Sequence, residues 1–353
     1  MYAAGRGSQF QADKYVRLLP GSCMASVATV SHSGTKCTAS HLYAGGVTRH
    51  FLRDDDLSPA EQAEVLDLAV KLKADRFAAR PLEGPKTAAI IFDKTSTRTM
   101  VSFSVGVADL GGNPLIMDSK SSQMGGKESI ADTARVLTRM VSLIIWRTYA
   151  HAPLEEMAKY STVPVINSLS DDFHPCQILA DLLTIREHKG TLAGLTVGYV
   201  GDAANNMAQS YLVGCATAGM NIRVAGPAEF QPNPVFVADA ERIAAQTGGS
   251  VLITTDPVEA VTDADVVITD TWVSMGKEDE KAERVRTFAN YQVNDELFGH
   301  AQPDAIFLHC LPAYRGFEVT ESVIDGPRSV VWDEAENRVH AQKALMTWLL
   351  ERS

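Results

Sequence analysis

No apolar run in this chain approaches the ~20 residues that a membrane-spanning helix needs. The stretch around residues 141–146 is only long enough for an interior strand. No membrane partner is therefore expected. An excess of positive charge is also missing: 32 Lys and Arg stand against 43 Asp and Glu, a net charge of −11. That excludes the broad basic footprint by which nucleic acid or an acidic lipid surface is held. Cysteine is sparse. The five, at positions 23, 37, 176, 215 and 310, are odd in number and include no Cys-x-x-Cys pair. Neither a disulfide framework nor a structural zinc site is expected, and a reducing, cytoplasmic setting fits. No internal repeat of about 20–50 residues is present.

What is present is the composition of a folded globular protein, 45% hydrophobic and 21% charged. A length of 353 residues suits two domains. Residues 1–46 stand apart. They carry Arg6, Lys14, Arg17 and Lys36 against Asp13, a net +3 that leaves −14 for the rest. They are rich in Ser, Thr and Gly and show no sustained periodicity. The expectation is a disordered extension; an organelle transit peptide, with a matrix location, is the alternative.

Beyond it, Ser58-Pro59-Ala60-Glu61 has the pattern of a capping box opening a helix. Short apolar runs then alternate with helical patterns. Strands are expected at 88–92, 114–118, 142–147 and 163–168, with helices at 97–110, 129–140, 153–160 and 175–189. After Gly190 the alternation restarts, with strands at 196–201, 221–225, 251–255, 266–270, 306–311 and 329–332. Helices there are expected at 203–218, 236–247 and 334–351. This is an α/β pattern of two doubly wound parallel-sheet domains, joined near residues 183–194 by a connecting helix that would make a hinge. Residues 277–286 are charge-rich and read as a solvated loop or lid.

Open parallel sheets bind ligands at the carboxyl ends of their strands, so the residues just after each strand carry the functional question. After the first strand come Ser96, Thr97, Arg98 and Thr99 at a helix start, where hydroxyls, free N–H groups and a guanidinium suit an anion. Alone, this is equally the pattern of ordinary capping. The third strand ends in Arg147, whose charge needs a partner on leaving a buried run. The fourth leads to His174-Pro175-Cys176-Gln177, with Pro175 at the helix start and His174 at its mouth. In the second half, Gly198-Tyr199-Val200-Gly201-Asp202 lacks the Gly-x-Gly-x-x-Gly spacing of a dinucleotide loop. Asn205 and Asn206 offer neutral amides there. Asp270 places a carboxylate at another strand end, and Ser274-Met275-Gly276 forms a turn behind it. His309-Cys310-Leu311-Pro312 closes the next strand, its His and Cys on opposite faces and so badly placed for a nucleophilic pair. Arg338 in the last helix is a surface ion-pair former or a third anion contact.

Ser96-Thr97-Arg98-Thr99, His174-Pro175-Cys176-Gln177, Asp270 with Ser274-Met275-Gly276, and His309-Cys310-Leu311-Pro312 occur in the order seen in ornithine carbamoyltransferases, which the chain resembles from about Val47 to its C-terminus. The resemblance leaves residues 1–46 outside and implies that they come from an upstream start choice. It implies a carbamoyl-phosphate-binding domain of residues 47–187 plus 335–353, and an ornithine-binding domain of residues 188–334, with the site between them. Ser96, Thr97, Arg98 and Thr99 would hold the phosphate; Arg147, His174 and Gln177 would engage the phosphate or the carbamoyl group. Gln123 would reach a neighbouring subunit's site in a homotrimer. Asn206, Asp270, Ser274 and Met275 would bind the amino-acid head of ornithine, and Cys310, Leu311 and Arg338 would complete the site. The implied reaction gives citrulline and phosphate with no cofactor and no metal. The family's Ser-Thr-Arg-Thr-Arg ends here in Met100. Competing expectations are transfer to putrescine or N-acylornithine, a nucleotide-binding oxidoreductase, which the failed glycine spacing opposes, and a weakened non-catalytic homologue, supported by Met100 alone.

Overall fold

The computed structural model of the protein describes residues 48–119, 124–273 and 278–353. The extension expected at 1–46 lies outside the described residues, as do Gln123, Ser274 and Met275. Helix α1 (Pro59–Ala74) opens on the predicted capping box: Ser58 Oγ accepts from Glu61 N (3.4 Å) and Glu61 Oε2 accepts from Ser58 N (2.9 Å).

Four parallel strands follow: β1 (Thr87–Phe92), β2 (Asn113–Asp118), β3 (Leu143–Arg147) and β4 (Val165–Leu169). They are linked by α2 (Thr97–Asp109), α3 (Ile130–Leu137) and α4 (Ala152–Tyr160). The strand order is β2-β1-β3-β4. The interior strands β1 and β3 are covered on both faces, which is why they read as unbroken apolar runs. Chain connections leave β1 in opposite directions, so a crevice opens at the carboxyl ends of β1 and β3.

Helix α5 (Pro175–Lys189) leads out of this sheet and stops at Gly190, whose left-handed φ of 78° lets the chain turn. The second sheet is built from β5 (Thr196–Val200), β6 (Asn221–Ala225), β7 (Ser250–Thr254), β8 (Val266–Ile268) and β9 (Ile306–Leu308), in the order β7-β6-β5-β8-β9, all parallel. Its larger helices are α6 (Asn206–Thr217) and α7 (Pro234–Thr247). Its switch point lies at the ends of β5 and β8. The short helices α8 (Pro257–Val261), α9 (Lys281–Phe288), α10 (Asp295–Phe298) and α11 (Glu321–Ile324) complete this half. Helix α12 (Val331–Leu350) then returns to pack on α5, α1 and α2.

Two sequence expectations are corrected here. Residues 329–332 are not a strand: Ser329 makes a single bridge to Phe307, and α12 begins at Val331. Two adjacent valines favour a strand locally, but Val331 is buried while Trp332 is 62% exposed, an arrangement that one face of a helix satisfies. The charge-rich run 277–286 is not a solvated loop where it is described. Its second half enters α9, and Arg284 is 2% exposed. One apolar core continues from the first sheet through α5, α6 and α12 into the second, with Cys176 and Cys215 inside it. Burial pushes the Cys176 thiol up to about 12, as befits an inert core side chain.

Candidate active site

The carboxyl ends of both sheets face one cavity of about 710 Å³. On the first-sheet side, Ser96 caps α2: its Oγ accepts from Thr99 N (3.3 Å) and donates to Thr99 Oγ1 (3.0 Å). The Thr99 hydroxyl oxygen in turn faces Arg147 NH1 and Arg338 NH2, each at 3.5 Å. Arg98 reaches across the cleft, its NH2 donating to Leu311 O (2.5 Å). Leu311 has a left-handed φ of 57°, which turns that carbonyl toward the guanidinium.

Three arginines from three separate helices or strand ends thus meet at one helix N-terminus. Among the described residues none of the three forms an ion pair, and Arg147 Nε is buried without a hydrogen-bond partner. Burial, followed by its neighbours Arg338 and Arg98, pulls the Arg147 guanidinium down to about 10. Positive charges crowded this way favour an anion in the cavity.

His174 lies 5% exposed at the head of α5. Its backbone N donates to Ser210 Oγ (2.8 Å), whose hydroxyl donates to Asp54 Oδ2 (2.7 Å). Burial and the three arginines hold its imidazole well below the usual histidine range, so the ring is neutral at neutral pH. A neutral ring N–H beside the arginines is suited to polarising a carbonyl oxygen.

On the second-sheet side, Asp270 follows β8. Its Oδ2 accepts from Asn205 Nδ2 (3.1 Å) and its Oδ1 from Cys310 Sγ (3.2 Å). Burial raises the Asp270 carboxyl. Burial, with Asp270 beside it, pushes the Cys310 thiol well up, which leaves it a donor and not a thiolate nucleophile. Asn205 caps α6, accepting from Ala208 N (2.9 Å), while Asn206 Nδ2 donates to Ser170 O (2.7 Å). Asp270, His309 and Cys310 bring possible metal-ligating atoms within 4.8 Å of one another. The His309 ring, however, is engaged on both sides, accepting from Leu311 N (2.9 Å) and pairing with Glu318 Oε1 (3.2 Å).

Of the expected site residues, Ser96, Thr97, Arg98, Thr99, Arg147, His174, Asn206, Asp270, Cys310, Leu311 and Arg338 line this cavity. Pro175, Cys176 and Gln177 do not. Cys176 Sγ donates to Asn167 O within the core (3.3 Å), and Gln177 lies beneath the cavity, accepting from Arg338 NH1 (2.6 Å). Helical geometry explains this, since the N-cap residue His174 faces the mouth while the first turn of α5 behind it turns into the core. Several lining residues escaped the sequence analysis. Lys94 pairs with Asp171 (2.5 Å) over the Tyr149 ring. Arg284 donates to Asp202 Oδ2 and to Trp272 O, with its guanidinium against the adjoining rings of Phe230 and Phe288. Asn205 was named only as one of an amide pair with Asn206, and the N-cap rule singles it out; nothing in the sequence marked Arg284 out from its charged neighbours.

Comparison with known proteins adds a separate line of observation. The family model described as aspartate/ornithine carbamoyltransferase, carbamoyl-P binding domain, matches residues 49–187, and the companion Asp/Orn binding domain matches residues 193–349. The chain is 69% identical over 307 residues to an ornithine carbamoyltransferase of Clavibacter sepedonicus, covering 87% of this chain and 100% of that one. It is 63% identical over 304 residues to one from Bifidobacterium longum, covering 85% and 95%. Among solved structures, the ornithine carbamoyltransferase from Pyrococcus furiosus superposes with a TM-score of 0.82 at 50% identity, covering 85% of this chain and 96% of that chain. The anabolic enzyme from Campylobacter jejuni does so with a TM-score of 0.82 at 39% identity, covering 86% and 100%.

Proposed function

The chain belongs to the aspartate/ornithine carbamoyltransferase family, and from that premise we propose that it transfers the carbamoyl group of carbamoyl phosphate to the δ-amino group of L-ornithine, giving L-citrulline and phosphate. The observation that carries this reading is the cavity itself, with three arginines and a neutral His174 on one wall and Asp270 with Cys310 on the other. One wall suits a phosphorylated carbonyl compound; the other suits the ammonium group of an amino acid.

The α2 N-terminus with Ser96, Thr97, Arg98 and Thr99 takes the phosphate, and Arg147, His174 and Arg338 take the remaining oxygens. Asn206 and Asp270 bind the amino-acid head, and Cys310 and Leu311 close that side. Gln123, Ser274 and Met275, outside the described residues, keep the roles that the resemblance gave them. The neutral δ-amine attacks the carbamoyl carbon, a C–N bond forms, and negative charge collects on the carbonyl oxygen. The arginines and His174 stabilise that charge. The C–O bond to phosphate then breaks, and the leaving phosphate carries away the amine proton. No enzyme-bound covalent intermediate is involved, which agrees with the protonated thiol of Cys310.

The proposal extends to residues 47–187 with 335–353 as the carbamoyl-phosphate domain and 188–334 as the ornithine domain, working in arginine biosynthesis or catabolism in the cytoplasm. The packing of α12 on α1, α2 and α5 supports the first assignment. It also extends to a homotrimer. Edge strand β2 leaves Leu115 and Ile116 exposed, an apolar strip that a second copy would cover, and Gln123 follows that strand. Sedimentation of the purified chain tests the assembly. A colorimetric citrulline assay, with ornithine, putrescine, aspartate and N-acylornithine in parallel, tests the reaction. Absence of product with ornithine defeats the proposal.

A further inference from the structure

Beneath the cavity lies a buried polar knot whose two carboxyl groups the chemistry above does not use. Arg338 NH1 donates to Gln177 Oε1 (2.6 Å), and the same amide's Nε2 donates to two carboxyl groups, Asp181 Oδ1 (2.8 Å) and Glu334 Oε1 (3.1 Å). Tyr211 OH donates to the other oxygen of Asp181 (2.5 Å), and His309 N donates to the other oxygen of Glu334 (2.9 Å). Asp181 is 0% exposed and Glu334 1%. The knot joins α5, α6, α12 and the end of β9, so it spans both sheets' elements.

Its geometry has three consequences. An amide has one accepting end and one donating end. With two carboxyl groups on Nε2, the oxygen of Gln177 has to face Arg338. Second, the amide stands between Arg338 and the carboxyl groups. The guanidinium is oriented without direct ion pairing, and its charge stays available to a ligand. Gln342, with its amide oxygen toward Arg338, holds Nε and NH2 in the same neutral way, at 2.9 Å each. Third, the second oxygen of Glu334 grips the backbone one residue before Cys310, whose thiol donates to Asp270. Burial raises both carboxyl groups, and Asp181 beside it raises Glu334 further, so the pair retains a proton and does not overwhelm Arg338 with two negative charges.

From this arrangement we infer that Glu334, acting with Asp181 through Gln177, is a positioning residue that sets Arg338 on the phosphate side and Cys310 on the ornithine side in one move. The inference rests on the carbamoyl-transfer reading for the identity of the two sides. Neither Glu334 nor Asp181 lines the cavity.

The test compares Glu334→Gln with Asp181→Asn in the full chain. Citrulline formation is followed at varied carbamoyl phosphate and varied L-ornithine, beside thermal melting. A glutamine at 334 has one accepting atom, so it cannot serve both Gln177 Nε2 and His309 N. The KM values for both substrates rise about tenfold, the effect of one lost hydrogen bond within a charged network. An asparagine at 181 disturbs Gln177 but leaves the His309 contact. The KM for carbamoyl phosphate rises about tenfold and that for ornithine stays within about twofold. Parental KM values in both variants, or equal changes for both substrates in both variants, overturn the inference, because a merely structural role would give no such split. Should Glu334→Gln fail to fold, Asp181→Asn decides by its substrate selectivity alone. Should the parent form no citrulline, the reaction proposal falls by itself. Calorimetric titration of inorganic phosphate then tests the positioning separately: weaker binding in Asp181→Asn supports it, and unchanged binding overturns it.

Discussion

Gly214 sits inside α6, where an alanine would ordinarily be the better residue. Replacing an interior helical glycine by alanine favours the helix by about 1 kcal/mol. Here the added Cβ would lie 2.4 Å from Ile178 Cγ2 on α5. Ordinary carbon contacts are about 3.5–4.0 Å, so the shortfall exceeds about 1 Å. Ile178 is β-branched and held to one rotamer on its own helix, so its methyl group has nowhere to swing. The surrounding core is continuous, and Ile178 is 1% exposed. Overpacking of this severity costs about 3 kcal/mol, the upper end of the usual range, which leaves Gly214→Ala less stable by about 2 kcal/mol net. At about 2–4 °C per kcal/mol, melting falls by roughly 4–8 °C. The same separation of α5 from α6 sets the distance between His174 at one helix head and Asn206 at the other, so citrulline formation falls as well. Ile178→Ala in the Gly214→Ala background relieves the clash, and the double variant is less destabilised than the two single losses added. The readouts are calorimetric melting and initial rates. A Gly214→Ala protein that melts at or above the parent refutes the close-packing argument, because only the helix-propensity gain would then remain.

Three further outcomes are expected. His50 Nδ1 accepts from Val165 N (3.1 Å), and burial pulls the ring from 6.5 down to about 4. The unfolded chain therefore takes up the proton first, and stability declines as pH falls from about 6.5 to about 4. His50→Asn keeps an acceptor without titrating and flattens the melting temperature across that window; an unchanged slope counts against the assignment. Met100 is 37% exposed and outside the cavity wall, so Met100→Arg leaves citrulline formation unchanged or raises it, and a large rise in the KM for carbamoyl phosphate would contradict that. Cys310→Ser keeps a donor to Asp270, so activity falls by no more than about tenfold. Complete loss, or a carbamoylated parent enzyme in the mass spectrum, would reinstate a nucleophilic role.

The parts of the site that could be read from the sequence are those lying immediately after a strand. Arg147 follows an apolar run, Ser96-Thr97-Arg98-Thr99 opens a helix after another, and Asp270 ends a third, because parallel strands must deliver their successors to one edge. Misplaced elements and residues share a different cause. The alternation of charge in 277–286 is genuine, yet tertiary packing turns Arg284 inward onto two phenylalanines. Val330-Val331-Trp332 has strand propensity, yet α12 takes it because one side of that helix packs against α5. Gln177 looked like a ligand contact from its neighbours His174 and Pro175. It points down, and its partner Glu334 lies 157 positions away, a pairing that no local pattern encodes.

An acidic protein binding a small dianion presents an apparent conflict, and the structure resolves it through distance and pairing. Exposed charges more than about 10 Å from a ligand are largely screened at physiological salt, whereas charges lining a partly enclosed cleft are not. What matters is the balance inside the cavity. There the acidic groups nearest the arginines are either kept behind an amide, as Asp181 and Glu334 are, or raised by burial, as Asp270 is. Lys94 meanwhile engages Asp171 at the mouth. Moving a carboxylate into direct contact with Arg338 would leave the net charge of the chain almost unchanged, yet it would cancel the one positive group that reaches the phosphate side from the last helix. The overall charge therefore carries little information about anion affinity, and the neutral amides of Gln177 and Gln342 carry much more.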